Sequence, residues 1–454
     1  MQAIYAQRAL LGSEWCRDVR ICVEDMRIVT LEVGAAPQPG DAHVDTLLPA
    51  LANLHSHSFQ RAMAGMTETR AADRDSFWTW REMMYRFVTH FTPEQYEAIA
   101  ALVFLEMQEA GYASVGEFHY VHHQPDGTPY DAVSELSQRV FAAAAQTGIG
   151  LTHLPVLYSY GGAGQDELGP GQRRFGNDVG AYLDLVSQAR TASRALPADT
   201  CVGIAPHSLR ATCPEDLANL LASHDAQPIH IHIAEQLKEV EDIRQWLGSR
   251  PVDWLLQNAP VDDRWCLIHA THMTEAETIA MARSGAVAGL CPVTEANLGD
   301  GPFNGPTFMQ AGGRFGIGSD SNVCISLTEE LRTLEYSQRL RDHSRNVMVP
   351  GAGSVGAHLY LSAAVGGAQA LGRDSGEIAT GKLADLVAVD STDPALMALS
   401  DEQLLDGLCF AAKDHVVTDL WSAGRHQVRG GRHVARDAVL SKYREAMTTL
   451  MDRI

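Results

Sequence analysis

The sequence predicts an α/β fold, a (β/α)8 barrel of the TIM type joined to a small β-sandwich domain built from both chain ends. Three observations predict it. Eight short apolar, strand-like runs recur between residues 47 and 318, with helix-like stretches between them. Such alternation implies a parallel sheet, and eight units imply a closed barrel. Both ends of the chain lose the helical period and read as turns and strands. Finally, 454 residues, 45% of them hydrophobic, exceed one ordinary domain but suit a large barrel with a smaller module.

Residues 1–48 supply the first part of the small domain. Strand candidates at 21–23 and 26–31 flank a turn, and the Pro/Gly-rich Ala35-Ala-Pro-Gln-Pro-Gly40 follows. Residues 49–375 hold the barrel. Its strands fall at 47–54, 113–118, 150–156, 201–206, 228–233, 265–268, 286–291 and 314–318. Helical candidates between them include 93–110, 132–146, 178–195, 214–223 and 274–284. Residues 376–454 return to the small domain. Gly376-Glu-Ile-Ala-Thr-Gly-Lys382-Leu-Ala-Asp385 leads from turn to strand, strands follow at 416–422 and 426–433, and a helix at 435–451 ends the chain.

Composition excludes several classes of partner. The net charge is −21, from 35 basic and 56 acidic residues. Nucleic acid and anionic membrane surfaces would be repelled. Eight cysteines without a CxxC pair read as free thiols in a reducing compartment, so the expected location is cytoplasmic. No apolar stretch is long enough to span a bilayer, and the first thirty residues hold no uninterrupted signal core.

The chemistry of such a barrel sits at the carboxyl ends of its strands. The first strand ends in Leu54-His55-Ser-His57. Residues i and i+2 of a strand share a face, so both imidazoles can address one ion. The fifth strand reads Pro228-Ile-His230-Ile-His232-Ile; His232 lies nearer the carboxyl end and is the expected ligand, with His230 packed lower. The sixth strand ends at His269, and Asp320 follows the eighth. Three imidazoles and a carboxylate suit one divalent ion, zinc foremost, with a position left for water. His55, His57, His232 and Asp320 are therefore the metal candidates. Such an ion brings the pKa of water towards ~7. Asp320 can accept the water proton, and His269 can hydrogen-bond the resulting hydroxide or serve as a further ligand. Glu235, three residues after His232, opens the next helix and can serve as proton donor to a leaving nitrogen.

This order of ligands resembles the amidohydrolase superfamily, over nearly the whole chain. Binuclear members bridge two metals through a carboxylated lysine or a glutamate from about the fourth strand. Here no lysine precedes Lys238 and residues 201–206 carry no carboxylate, which favours a mononuclear site. Longer motifs are more specific: His55-Ser-His57-Ser-Phe-Gln60-Arg-Ala-Met-Ala-Gly65, Asp75-Ser-Phe-Trp-Thr-Trp-Arg81, Glu117-Phe-His-Tyr120-Val-His-His123, His207-Ser-Leu-Arg210 and Thr294-Glu-Ala-Asn-Leu-Gly-Asp300. These resemble the N-formimino-L-glutamate deiminase family. The resemblance implies hydrolysis of formiminoglutamate to N-formylglutamate and ammonia in histidine degradation, and a homodimer. It implies catalysis by Glu235, His269 and Asp320, and substrate binding by Gln60, Arg81, Tyr120, His207 and Arg210.

Residue chemistry agrees with a small dianionic substrate. Arginine forks bind carboxylates in bidentate fashion, and Arg81 and Arg210 are expected in loops at the rim. A deaminase of an aromatic base is the alternative within enzymes; it calls for stacking groups and amide readers in place of two arginines. A barrel reduced to an assembly scaffold is the alternative outside enzymes, and the complete set of His55, His57, His232, Glu235, His269 and Asp320 speaks against it. Two points are open at this stage: whether Cys324 lines the site, and whether the loop at 158–162 closes over it.

Overall fold

A computed structural model of the chain describes residues 2–70, 77–223 and 228–454. Eight parallel strand positions run through its middle: Leu51–Ser56, Tyr112–His119, Gly150–Leu157, the split pair Cys201–Val202 and Ala205–Pro206, Ile229–Ile233, Trp265–His269, Val287–Leu290 and Arg314–Ile317. The first four positions form one parallel arc and the last four another. Single parallel bridges join the arcs at both seams, Ile204 with Ile229 and Ser56 with Asp320. This is the (β/α)8 arrangement expected. Most of these strands are buried along their whole length, which is why they read as continuous apolar runs and not as alternating ones.

The expected strand at 47–54 divides in two. Ala42–Pro49 belongs to the small sheet, and Leu51–Ser56 starts the barrel. At the switch, Ala50 N donates to Asp385 O at 3.0 Å. Both strands are buried around this point, so hydrophobicity carries no mark of the change of sheet.

The small domain draws eight strands from both chain ends into one sheet. Gln2–Leu11, Glu14–Glu24, Arg27–Val33 and Ala42–Pro49 come from the first; Leu386–Val389, Val417–Ser422, Arg425–Arg429 and Arg432–His433 come from the last. The sheet coils. Ile28 N donates to Lys382 O at 2.9 Å and Ala384 N to Met26 O at 2.9 Å, so one edge returns to the segment that enters Leu386–Val389. Ile4, Val19, Ile21, Val44, Leu386 and Trp421 fill the space enclosed. The expected sandwich is thus one sheet folded on itself.

Helices begin where side chains can satisfy their first free N–H groups. Thr92 with Gln95, and Thr274 with Glu277, form capping boxes before Pro93–Glu109 and Glu275–Ser284. Phe77–Val88 and Asp401–Phe410 are among the helices not named as candidates. The terminal helix Arg436–Met451 leaves the small sheet and lies on the barrel, where Gln95 Nε2 donates to Thr449 Oγ1 at 2.9 Å. A buried ionic knot ties the domains together: Arg373, after the last barrel helix, pairs with Asp385 at 2.5 Å and Asp199 at 3.0 Å. Arg425 of the small sheet pairs with the same Asp199 at 2.7 Å.

Candidate active site

The seam between the first and eighth strands builds the site. Asp320 N donates to His55 O and His57 N donates to Asp320 O, both at 2.9 Å. The close approach needs glycine at 318, where a Cβ would stand 2.8 Å from both N and O of His55. Behind the seam, Asn53 Nδ2 donates to Ser319 Oγ at 2.6 Å, Ser319 Oγ donates to Asn322 Oδ1 at 2.6 Å, and Asn322 Nδ2 donates to Ser56 Oγ at 3.1 Å. Asp320, Asn322, His269 and Ala234 all take left-handed backbone at this rim, with φ between 47° and 68°. Such strain is held only where the surroundings enforce it.

The four ligand candidates converge. His55 Nε2 and His57 Nε2 lie 3.4 Å and 3.2 Å from Asp320 Oδ1. His232 Nε2 faces His55 Nε2 at 3.0 Å. Ligand atoms from all four side chains lie within 4.8 Å of one another, and all four residues are buried. His57 donates its Nδ1 proton to Phe118 O at 2.9 Å, which leaves Nε2 to face the group. Burial drives His55 down to about 3 and His232 well below the ordinary imidazole value. Facing neutral imidazole nitrogens share either a proton or a cation. Separations of 3.0 to 3.4 Å for His55–Asp320, His57–Asp320 and His55–His232, with all four ligand atoms within 4.8 Å of one another, fit a single shared divalent ion. His230 stays out of the group and donates to Ala370 O at 2.7 Å, lower in the barrel.

His269 stands beside this group. Its Nε2 lies 3.9 Å from Asp320 Oδ2, and its Nδ1 donates to Glu295 Oε1 at 3.3 Å. Burial alone would lower its pKa, but the Glu235, Glu295 and Asp320 carboxylates override it and lift the imidazole to about 10.

Above the ligands lies a narrow cavity of about 60 Å³. Its lining contains Gln60, Arg81, Tyr120, His207, Arg210 and Glu235, together with His57, His232, His269 and Asp320. Glu235 is 4% exposed and sits just before the helix Leu237–Leu247, in a turn that Ala234 opens with φ 53°. Gln60 Nε2 donates to Tyr120 OH at 2.9 Å, while Gln60 Oε1 is buried without a partner. The His207 ring packs on Tyr158 at 4.5 Å and on His232 at 4.9 Å.

Arg81 corrects one expectation. It lies on the helix Phe77–Val88 and not in a loop. The stretch is rich in aromatic and cationic residues, with Met84, Phe87 and Val88 at helical spacing on its buried face. Asp75 and Ser76 of the same motif lie outside the described residues. Arg210 is in a turn, as expected. Both guanidiniums meet one indole: Arg81 Cζ is 5.2 Å and Arg210 Cζ 5.8 Å from the Trp78 ring centroid. Arg210 Nε is buried, has no hydrogen-bond partner and lies 3.8 Å from Glu239 Oε2.

Cys324 is exposed on an outer groove beside Arg61 and Glu106, away from the cavity. The loop at 158–162 contributes Tyr158 to the cavity wall; Gln172 Nε2 donates to its hydroxyl at 2.8 Å and to Gly161 O at 3.1 Å. Sequence reasoning missed Trp78, Glu239 and Glu295. Glu295 and Trp78 lie inside motifs already noted, but only the packing shows that one orients His269 and the other carries two arginines.

Comparison with known proteins adds three findings. Residues 46–426 match the amidohydrolase family, and residues 1–45 match the N-terminal domain described as formimidoylglutamate deiminase HutF. A Pseudomonas aeruginosa protein named formimidoylglutamate deiminase is 49% identical, with 100% of each chain covered. Among solved structures, an amidohydrolase from Brucella melitensis superposes with TM-score 0.94 at 47% identity, covering 99% of this chain and 100% of that one. An adenosine deaminase from Xanthomonas campestris with bound zinc superposes with TM-score 0.81 at 23% identity, covering 99% and 98%.

Proposed function

The chain belongs to the amidohydrolase family and groups within it with the formimidoylglutamate deiminases, and from this premise we propose that it hydrolyses N-formimino-L-glutamate to N-formyl-L-glutamate and ammonia, a step of histidine degradation. One observation carries the substrate reading: two arginines, stacked on one indole, face the same cavity as the His55, His57, His232 and Asp320 group. A guanidinium pair is suited to a molecule with two carboxylates.

One divalent ion, zinc in this reading, would be held by His55, His57, His232 and Asp320. When bound it supplies Lewis acidity that makes hydroxide available at neutral pH. Arg81 and Arg210 hold the substrate carboxylates, and Gln60, Tyr120 and His207 add hydrogen bonds that orient the formimino group. Asp320 accepts the proton of the attacking water. His269, pinned through Nδ1 by Glu295, presents Nε2 to the attacking oxygen. A carbon–oxygen bond forms at the formimino carbon, and Glu235 delivers a proton to the nitrogen. Asp320 passes its proton to the same nitrogen, the hydroxyl proton returns to Glu235, and the carbon–nitrogen bond breaks so that ammonia leaves as the formyl carbonyl forms. The low-dielectric cavity strengthens each of these interactions.

The working form is read as a homodimer in the cytoplasm. Eight free cysteines support a reducing compartment, and among the described residues no helix is long and apolar enough to cross a membrane. Light scattering of the purified protein checks the dimer. The decisive assay is steady-state ammonia release by metal-replete protein from formiminoglutamate, with guanine and cytosine as comparison substrates. Turnover confined to either base would overturn the substrate reading.

A further inference from the structure

Glu239 is buried, with 0% exposure, yet its carboxylate is not spent on a simple helix cap. It lies in the first turn of Leu237–Leu247, whose N-cap is Gln236. A carboxylate in this position ordinarily reaches back to the N-cap N–H. Here it reaches further. Oε1 accepts from Ala234 N at 3.0 Å and Oε2 accepts from Glu235 N at 3.1 Å. Two successive N–H groups thus converge on one anion, the geometry of a backbone nest. The left-handed Ala234, φ 53°, makes that geometry and turns the Glu235 side chain into the cavity.

The same Oε2 lies 3.8 Å from Arg210 Nε, the buried donor that lacks a hydrogen-bond partner. One carboxylate therefore holds the backbone of the proton donor and faces the guanidinium read as a substrate clamp. We propose that Glu239 is a positioning residue that couples the two, setting Glu235 for proton delivery and Arg210 for carboxylate capture. The inference rests on the deiminase reading above. It adds a residue that touches none of the metal candidates, and it gives a reason for a carboxyl at a fully buried position.

Gln at 239 keeps the size and one acceptor. Its NH₂ replaces the other oxygen and meets an N–H, either that of Ala234 or that of Glu235, so one backbone bond is lost together with the charge. Each lost bond to a charged group corresponds to roughly a tenfold effect or more. The test compares parent, Glu239→Gln and Glu239→Asp on formiminoglutamate and on N-methylformamidine, an amidine without carboxylates. Metal content and thermal unfolding are measured alongside. The expected result for Glu239→Gln is a kcat drop of roughly tenfold or more on both substrates, with a KM rise of roughly tenfold on formiminoglutamate alone. Glu239→Asp, which keeps both oxygens and the charge, recovers part of each effect. A Glu239→Gln variant with both constants within twofold of the parent overturns the proposal. So does a kcat loss with unchanged KM that follows the loss of folded, metal-loaded protein, since that is a structural role only. Parent protein without turnover on formiminoglutamate overturns the functional reading instead, and this inference with it.

Discussion

Glu235 and Arg210 separate the two jobs of the cavity. Glu235 faces the reacting nitrogen in this reading but lies outside the group of four ligand candidates. Glu235→Ala should therefore cut kcat by roughly 10²–10⁴-fold while metal analysis still finds the ion. Turnover at the parent level would remove Glu235 from the mechanism. Arg210→Met should act on capture: kcat/KM on formiminoglutamate falls by roughly ten- to a hundredfold, mostly through KM, with metal content unchanged. Equal kinetics in parent and variant would take Arg210 out of the carboxylate site. At this scale the sequence was informative where strand geometry decides direction. Alternation along Ile229–Ile233 put His232 at the rim and His230 below it, and the structure has them so. It was silent on Glu239, because a glutamate two residues into a helix reads as ordinary capping, and only the depth of burial and the 3.8 Å approach of Arg210 reveal more.

At the level of strands and helices, Gly318 carries the sharpest prediction. A methyl group there meets His55 backbone atoms at 2.8 Å, which cannot yield without moving the strand. Gly318→Ala should push the first and eighth strands apart, weakening metal retention and lowering the melting temperature together. Dialysis against a chelator followed by metal analysis, with a melting curve, reads both. A variant that holds the ion like the parent would show that the seam tolerates the displacement. The order of strands and helices was readable because parallel strands buried on both sides give unmistakable apolar runs. The division at Ala50 was not, since two buried strands in tandem look like one. The helix Phe77–Val88 was not named either, although Met84, Phe87 and Val88 recur at helical spacing; Phe77, Trp80, Arg81 and Tyr85 line the cavity, and the stretch reads first as a motif.

For the whole molecule, two sets of buried ionisable groups weaken the fold in acid, opposed by the carboxyls of Asp300, Glu117 and Glu330, which burial raises. His122 and His153 are pushed down to about 3 and His230 to about 4, each chiefly by burial. Unfolded, each has a pKa of about 6.5. Between those values the unfolded chain binds the extra protons, so stability present above pH ~6.5 is lost progressively as the pH falls below it. Asp199 acts in a lower window. Burial alone would raise its carboxyl, but Arg425 and Arg373 hold it below the usual range. Its contribution persists above the unfolded value of ~3.9 and disappears as the pH drops through the lower folded one. Melting curves should therefore decline from just below pH 6.5, well before carboxylates titrate. A flat profile down to pH 4.5 would contradict this. Arg373→Met, which leaves Asp199 and Asp385 short of a partner between the domains, should cost about 3–5 kcal/mol of unfolding free energy.

The bridge between Ser56 and Asp320 gives the ring of strands an unusual clasp, because it joins an early and a late segment of the polypeptide on either side of the ligand histidines. A nascent chain thus owns three imidazoles long before it owns the carboxylate that completes the set. Ion capture should come late in maturation and act as a latch on the finished fold, so a time-resolved refolding experiment would find secondary structure recovered before cation uptake, and uptake before the first released ammonia.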